Sequence, residues 1–353
     1  MAIRKLLLLT RSPPLRAILD HLSARYTIRL VFAAADHPLW EYIGLTSRTI
    51  QQPWLNTKGI HNKKVHYPTL HRPISLVARY LRAGDVLEDT HLPSPGLPPP
   101  PFSISITHLE EPAEGPSKHQ EHLAVLADGT ILLYTDGLKS ERQKCRSAWS
   151  IYCQYSFQTS PELASGHCCI GDKAEVYDTE LHAIQEGLLY IIATGWAPTH
   201  ILVCADNQAA LLTLSAENPS GTEYAQHTLQ AIFRLREMGW STSGLWTPAY
   251  CGIPGNERAD ALAKLGSQGT LQCQYTKVTR SWLQTQVRQR LLIDWGDQFP
   301  PDPHFPIVRS TTFPRVLRKH SPAALRALFR LCDLGHGDGA GTRRGTNILP
   351  SRM

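Results

Sequence analysis

Four acidic side chains stand in four separate phrases of the chain: Asp136 in Leu-Leu-Tyr-Thr-Asp-Gly, Glu180 in Asp-Thr-Glu-Leu-His-Ala, Asp206 in Cys-Ala-Asp-Asn-Gln-Ala-Ala, and Asp260 in Gly-Asn-Glu-Arg-Ala-Asp. Carboxylates drawn from distant segments onto a rigid frame are the ligands that hard cations such as Mg²⁺ select. A pair of such ions about 3.5–4 Å apart can clamp the attacking and leaving oxygens of a phosphodiester. That chemistry needs the acids to converge, so the elements carrying them decide whether the set means anything.

Each acid also has a plain structural explanation. Asp136-Gly137 reads as a turn closing a strand. Glu180 falls in the first turns of a helix, where acids favour the macrodipole, yet it shares a face with Val176, Ala183, Ile184 and Gly187. A carboxylate on that apolar face is costly unless cations or donors meet it. Asp206 ends the strand Ile201-Leu202-Val203-Cys204 and precedes a helix, so it reads as an N-cap or as a ligand at a strand's carboxyl end. Asp260 lies one turn after Asn256 on a helix opened by Pro254-Gly255.

The positioning elements follow from periodicity. Residues 131–134, 148–155 and 163–170 read as three strands with short connections, hence antiparallel neighbours. A helix is expected from Ala174 to Thr194, closed by Gly195, then a strand over His200–Ala205, helices from Asn207 and over Glu223–Glu237, a strand through Leu245-Trp246, and a helix over Asn256–Leu265. Antiparallel strands followed by alternating helix and strand make an α/β fold with a mixed sheet.

Upstream, residues 13–43 show a helical stripe of Leu15, Ile18, Leu19, Leu22, Tyr26 and Leu30, ended by Asp36-His37-Pro38, and Arg72–Arg82 reads as a short helix. The tract Leu92-Pro-Ser-Pro-Gly-Leu-Pro-Pro-Pro-Pro101 favours extended backbone and marks a boundary. Ser117 and Gln120 form a capping-box pattern for a helix through Ala127. Trp282–Trp295 and Pro322–Leu331 read as helices whose Arg288, Arg290, Arg326 and Arg330 suit either a solvated face or phosphate. The division is therefore a helical segment 1–91, a Pro-rich linker 92–116, a catalytic-type domain 117–269 and a helical extension 270–353.

Composition bounds the rest. At 353 residues and 42% hydrophobic content the chain can bury a substantial core, and the net charge of +6 is compatible with a polyanionic partner without requiring one. Eight cysteines show no zinc-finger spacing and no disulfide framework, which fits a reducing compartment. The opening Arg4-Lys5 and four leucines imitate a secretory signal, but the run stops at Arg11. The expectation is an intracellular protein, nuclear or cytoplasmic and not secreted, with no membrane span.

Taken together, in this order and with these elements between them, the four phrases resemble the type 1 ribonuclease H family, and Trp246-Thr-Pro-Ala-Tyr-Cys-Gly-Ile-Pro-Gly-Asn-Glu-Arg-Ala-Asp260 is similar to its last motif nearly throughout. The resemblance spans about residues 131–267. It implies a ribonuclease H-like fold, with a five-stranded mixed sheet flanked by helices and mostly helical extensions. It also implies hydrolysis of the RNA strand of RNA–DNA hybrids by two Mg²⁺ (or Mn²⁺) ions, one activating water and one stabilising the leaving oxygen, with Asp136, Glu180, Asp206 and Asp260 as catalytic metal ligands. RNA would be selected through 2′-hydroxyls across the minor groove. Gly137, Asn207 and Asn256 become substrate-binding candidates; for the two asparagines an N-cap role fits as well.

The flanks, Arg29-Leu-Val-Phe-Ala-Ala-Ala-Asp-His-Pro-Leu39, the proline tract and Leu331-Cys-Asp-Leu-Gly-His-Gly-Asp338, look like the region after the reverse transcriptase in fungal LINE-type (Tad-like) retrotransposon polyproteins. No Tyr-x-Asp-Asp signature is present, so the chain would be a fragment or truncated copy without polymerase activity. One departure stands out. Where the family usually has a loop histidine, this chain has Tyr250, and a phenol cannot shuttle protons at neutral pH in the same way. The alternative function is a catalytically impaired nucleic-acid-binding remnant.

Overall fold

The computed structural model describes residues 15–33, 37, 40, 48–50, 76–90, 102–106, 112–140, 144–155, 158–216, 222–268 and 277–298. The chain divides into a compact unit, Leu19–Ile293, and a second made of Met1–Ile18 with Asp294–Met353. The Pro322–Leu331 helix, Arg326, Arg330 and the Leu331–Asp338 segment lie outside the described residues.

In chain order the elements are α1 (Leu15–Val31), β1 (Val86–Leu87), β2 (Phe102–Ile106), α2 (Gly115–Ala124), β3 (Thr130–Lys139), β4 (Cys145–Tyr155), β5 (Gln158–Thr159), β6 (Ala164–Gly171), α3 (Val176–Thr194), β7 (His200–Ala205), α4 (Gln208–Ser215), α5 (Glu223–Glu237), β8 (Ser241–Trp246), α6 (Pro254–Gln268), β9 (Lys277–Val278) and α7 (Arg280–Gln298). The main sheet runs β2-β8-β7-β3-β4-β5, with β6 also pairing β4. β2, β8, β7 and β3 are mutually parallel, whereas β4 is antiparallel to β3, β5 and β6. The expected mixed α/β sheet is present with seven strands instead of five. The two additions are β5, two residues long, and β2, which lies in the stretch read as linker. Phe-Ser-Ile-Ser-Ile alternates apolar and polar residues with period two, which is a strand signal masked by the neighbouring prolines.

Parallel strands are covered on both faces and therefore read as unbroken apolar runs. In β3, Ile131 and Leu133 join Ile201 and Val203 of β7 against Leu181, Ile184 and Leu188 of α3 and Ile232 of α5. Leu132 and Tyr134 turn to the opposite face, with Leu202 and Cys204, against Leu123 of α2 and Ala259 of α6. Burying each such side chain is worth about 1.5–3 kcal/mol. α3 ends where a left-handed residue is needed, and Gly195 supplies it at φ 69°.

A smaller core joins distant segments. Ala24, Ile28 and Val31 of α1, with Phe32, Val77, Leu81 and Leu87, pack against Val278, Leu283, Val287 and Leu291. The strands β1 and β9 of this module pair in parallel, Val86 opposite Lys277. The buried stripe of α1 includes Ala24, Ile28, Leu30 and Val31, so Leu30 packs as expected, whereas Leu22 is half-buried and Tyr26 is 47% exposed. The helix also stops at Val31, ahead of Asp36, and Phe32 leaves it to enter the core.

Two further expectations are corrected. The Ser117/Gln120 capping box does not form, because a 3₁₀ turn over Pro112–Glu114 runs into α2 and starts the helix at Gly115; Ser117 then sits in the first turn and its Oγ donates to the Glu114 carbonyl at 2.9 Å. Cys169 is disulfide-bonded, which its spacing did not signal, while Cys145, Cys153, Cys204 and Cys251 are free thiols. Among the described residues no helix is long and apolar enough to cross a membrane.

Close approach of α6 to the sheet depends on Gly255, where a Cβ would lie 2.3 Å from the Tyr134 ring. That ring cannot give way easily, since its hydroxyl pairs with His119 Nε2 at 2.7 Å. Gly255→Ala should therefore destabilise the protein by about 1–3 kcal/mol, more than any gain in helix propensity, with an unchanged urea m-value. Equal or higher stability in urea denaturation would show that α6 does not need the glycine.

Candidate metal centre

The register of β3 and β7 builds the site. Thr135 pairs with Ala205 in the last pair of the parallel β3–β7 ladder, so the next residues, Asp136 and Asp206, emerge side by side; β3 itself runs on to Lys139 against β4, so Asp136-Gly137 is not the strand-closing turn the sequence suggested. Glu180 arrives from above, on the second turn of α3. Gly137 allows this approach, since a Cβ there would sit 2.2 Å from Thr179 Oγ1 and 2.8 Å from the Glu180 amide nitrogen. In return the Gly137 N–H donates to Glu180 Oε1 at 2.9 Å.

Carboxylate oxygens of Asp136, Glu180 and Asp206 all lie within 4.8 Å of one another. They line an open cleft of about 360 Å³ together with Gly137, Leu138, Val176, Asn207, Gln208, Tyr250 and Asp260. Asp136 and Glu180 are buried and Asp206 half-buried. The Glu180 Oε2 oxygen is buried and finds no hydrogen-bond partner. A buried, unpartnered carboxylate oxygen facing two more carboxylates is the donor set of a hard divalent cation.

Electrostatics agree with that reading. Burial, then the charges of Asp206 and Asp260, push the Asp136 carboxyl up from 3.8 to about 7. Burial followed by Asp136 and Asp206 holds Glu180 well above the usual carboxylate range, and burial with Asp260 raises Asp206. Three acids that resist ionising beside one another are those a cation would relieve.

Asp260 stands outside this trio but on the same cleft. Its Oδ2 is ion-paired with Lys264 Nζ at 2.5 Å, an i,i+4 pair on α6. The same ammonium lies 5.9 Å over the ring of Tyr250, which is 79% exposed and holds a left-handed backbone at φ 57°. A tyrosine there costs about 1–3 kcal/mol of backbone strain, and an exposed cation–π contact returns about 0.5–1 kcal/mol of it. Asn207 caps α4, its Oδ1 accepting from the Ala210 N–H at 3.2 Å, and still lines the cleft. Asn256 is buried with an unpartnered Oδ1 and does not line the cleft. Lys264 and Gln208 were overlooked in the sequence; Lys264 was legible as the residue one helical turn beyond Asp260. The Trp246 indole N–H donates to the Asp206 carbonyl at 2.8 Å, fixing the end of β7.

No protein-family model and no curated protein matches the chain. Solved structures similar to it include RNase H1 from the halophilic archaeon Halobacterium salinarum NRC-1, 21% identical over 40% of this chain and 98% of that one, with a TM-score of 0.31. Another is the N-terminal RNase H domain of Rv2228c from Mycobacterium tuberculosis, solved as a fusion with maltose-binding protein, 15% identical over 40% of this chain and 97% of that one, with a TM-score of 0.32. Likenesses of this size leave the function to be read from the site itself.

The raised carboxyl of Asp136 sets a pH dependence with a definite sign. Between its ordinary 3.8 and about 7 the folded protein holds a proton that the unfolded chain has lost, so metal-free stability falls as pH rises through that window. Asp136→Asn should therefore stabilise the metal-free protein at pH 8, by up to about 4 kcal/mol, measured by thermal unfolding in EDTA. A less stable Asn variant would show that Asp136 is not under electrostatic strain.

Proposed function

We propose that the chain is a metal-dependent nuclease of ribonuclease H type, hydrolysing the RNA strand of RNA–DNA hybrids, and that it derives from a non-LTR retroelement. The observation that carries the nuclease reading is the trio of Asp136, Glu180 and Asp206 oxygens within 4.8 Å at the floor of an open cleft, with the buried Glu180 Oε2 left unpartnered. The four acidic phrases and the Trp246–Asp260 motif support the choice of family, and the flanking segments support the retroelement origin.

In this reading Asp136, Glu180, Asp206 and Asp260 hold the divalent cations, Mg²⁺ or Mn²⁺. Bound there, the cations supply an activated water and charge stabilisation at the leaving oxygen. The chain's own part is positional. Gly137 N–H orients Glu180, Trp246 and Asn207 hold the Asp206 end of β7 and the start of α4, and Lys264 is ion-paired with Asp260. Gly137 and Asn207 on the cleft wall are placed to meet the substrate, and 2′-hydroxyls across the minor groove distinguish RNA from DNA.

Tyr250 favours a second reading, in which the hybrid is bound but cut slowly. Its exposed phenol stands on the cleft in the loop before α6, where a proton shuttle would be useful, and a phenol does not exchange protons at neutral pH.

Incubation of a labelled hybrid with the full chain and Mg²⁺ or Mn²⁺ separates the readings. Cleavage of the RNA strand is expected and should vanish in Asp136→Asn, while Tyr250→His should raise the rate by up to about 10²-fold. Binding without cleavage that Tyr250→His converts to cleavage supports the impaired form. No cleavage by either protein with either ion would sink the nuclease proposal.

A further inference from the structure

The module of α1, residues 76–90, β9 and the start of α7 touches the catalytic-type unit at the first turn of α3, two residues before Glu180. The Asp178 carboxylate is fully buried there, and its Oδ2 gathers three donors: the Glu175 N–H at 2.8 Å, Thr279 Oγ1 at 2.7 Å and Ser281 Oγ. Only the first of these belongs to α3; the other two come from the start of α7, about a hundred residues away in sequence. The Thr279 N–H also donates to the Lys173 carbonyl at 2.9 Å, and Lys173 Nζ pairs with Asp85 at 2.5 Å. Beside it the buried Glu88 accepts from the N–H groups of Arg280 at 2.6 Å and Glu223 at 3.3 Å, joining the starts of α7 and α5. The module therefore holds the amino ends of α3, α5 and α7 together through the buried carboxylates of Asp178 and Glu88.

On the other side of that turn there is no slack. Thr179 lies against Gly137 so closely that a Cβ would not fit, and Glu180 Oε1 is tied to the Gly137 N–H. The first turn of α3 is thus clamped between Gly137 of β3 and the start of α7. A shift of the turn relieved on the module side moves Glu180 relative to Asp136 and Asp206.

We infer that Thr279 and Ser281 are positioning residues for Glu180, so that the module is part of the metal centre's support and not an independent appendage. This rests on the reading of Glu180 as a metal ligand. A purely structural role would satisfy Asp178 and affect folding alone; a positioning role also changes how tightly the carboxylate trio holds a cation, because partners that orient ligands typically account for about 10–100-fold in metal affinity.

The test uses the full chain and Mn²⁺, followed by the loss of the free-ion EPR signal, with folding checked by thermal unfolding in EDTA. Thr279→Val with Ser281→Ala should weaken Mn²⁺ binding by about 10-fold, while Thr279→Ser, which keeps the hydroxyl, should stay within about twofold of the wild type. If the double variant does not fold, Ser281→Ala alone carries the test, with an expected weakening of about threefold. Wild-type affinity in a folded hydroxyl-free variant would overturn the inference and leave the metal reading standing. Absence of Mn²⁺ binding by the wild-type chain would overturn the metal reading and the inference with it.

Discussion

Three carboxylates held within 4.8 Å of one another repel, and burial makes the repulsion stronger because little water screens it. Left to itself such a trio would spread apart or take up protons, in keeping with the carboxyls of Asp136 and Glu180, both pushed up by burial and by their acidic neighbours. The rest of the structure is arranged around keeping them together. Parallel pairing of Thr135 with Ala205 brings Asp136 and Asp206 side by side, and two faces of buried aliphatic side chains hold that pairing. Gly137 lets α3 come down on β3, and the Gly137 N–H offers Glu180 one donor in place of water.

The helices add to this from their amino ends. α3 is held at Asp178, α4 at Asn207, and α6 approaches the sheet through Gly255 against Tyr134. Each contact is worth at most a few kcal/mol, but they act on the same few residues, so errors in any of them appear at the site. The module of α1, β1, β9 and α7 enters the same network through Thr279, Ser281 and Glu88. Asp260 differs from the trio: its charge is already answered by Lys264, and it stands on the cleft wall.

Much of this was legible in the sequence because the site sits on regular elements. The strand end before Asp206 follows from an uninterrupted apolar run, and Glu180 was conspicuous as an acid on an apolar helix face, whereas the turn expected at Asp136-Gly137 is instead part of β3, which stays paired with β4 as far as Lys139. What escaped has particular causes. β2 was hidden by the prolines beside it, although its alternation was plain. The stripe of α1 was only partly legible: Leu30 packs into the core, but Tyr26 looks as apolar as Ala24 and Ile28 and faces out, and only packing decides between neighbouring rows. The Ser117 capping box lost to an earlier helix start at Gly115. The joint of Asp178 with Thr279 and Ser281 links residues about a hundred positions apart, and no local pattern reports such a pairing. Asn256, singled out as a substrate candidate, has its side chain in the interior instead of on the cleft.

The claim on which all of this turns is that the trio is a cation site. Crystals of the full chain grown with Mn²⁺ and measured at a wavelength where manganese scatters anomalously test it without reference to activity. An anomalous peak within coordination distance of Asp136, Glu180 and Asp206 is the expected result. A well-ordered trio with no peak at millimolar Mn²⁺ and pH 8 would contradict it.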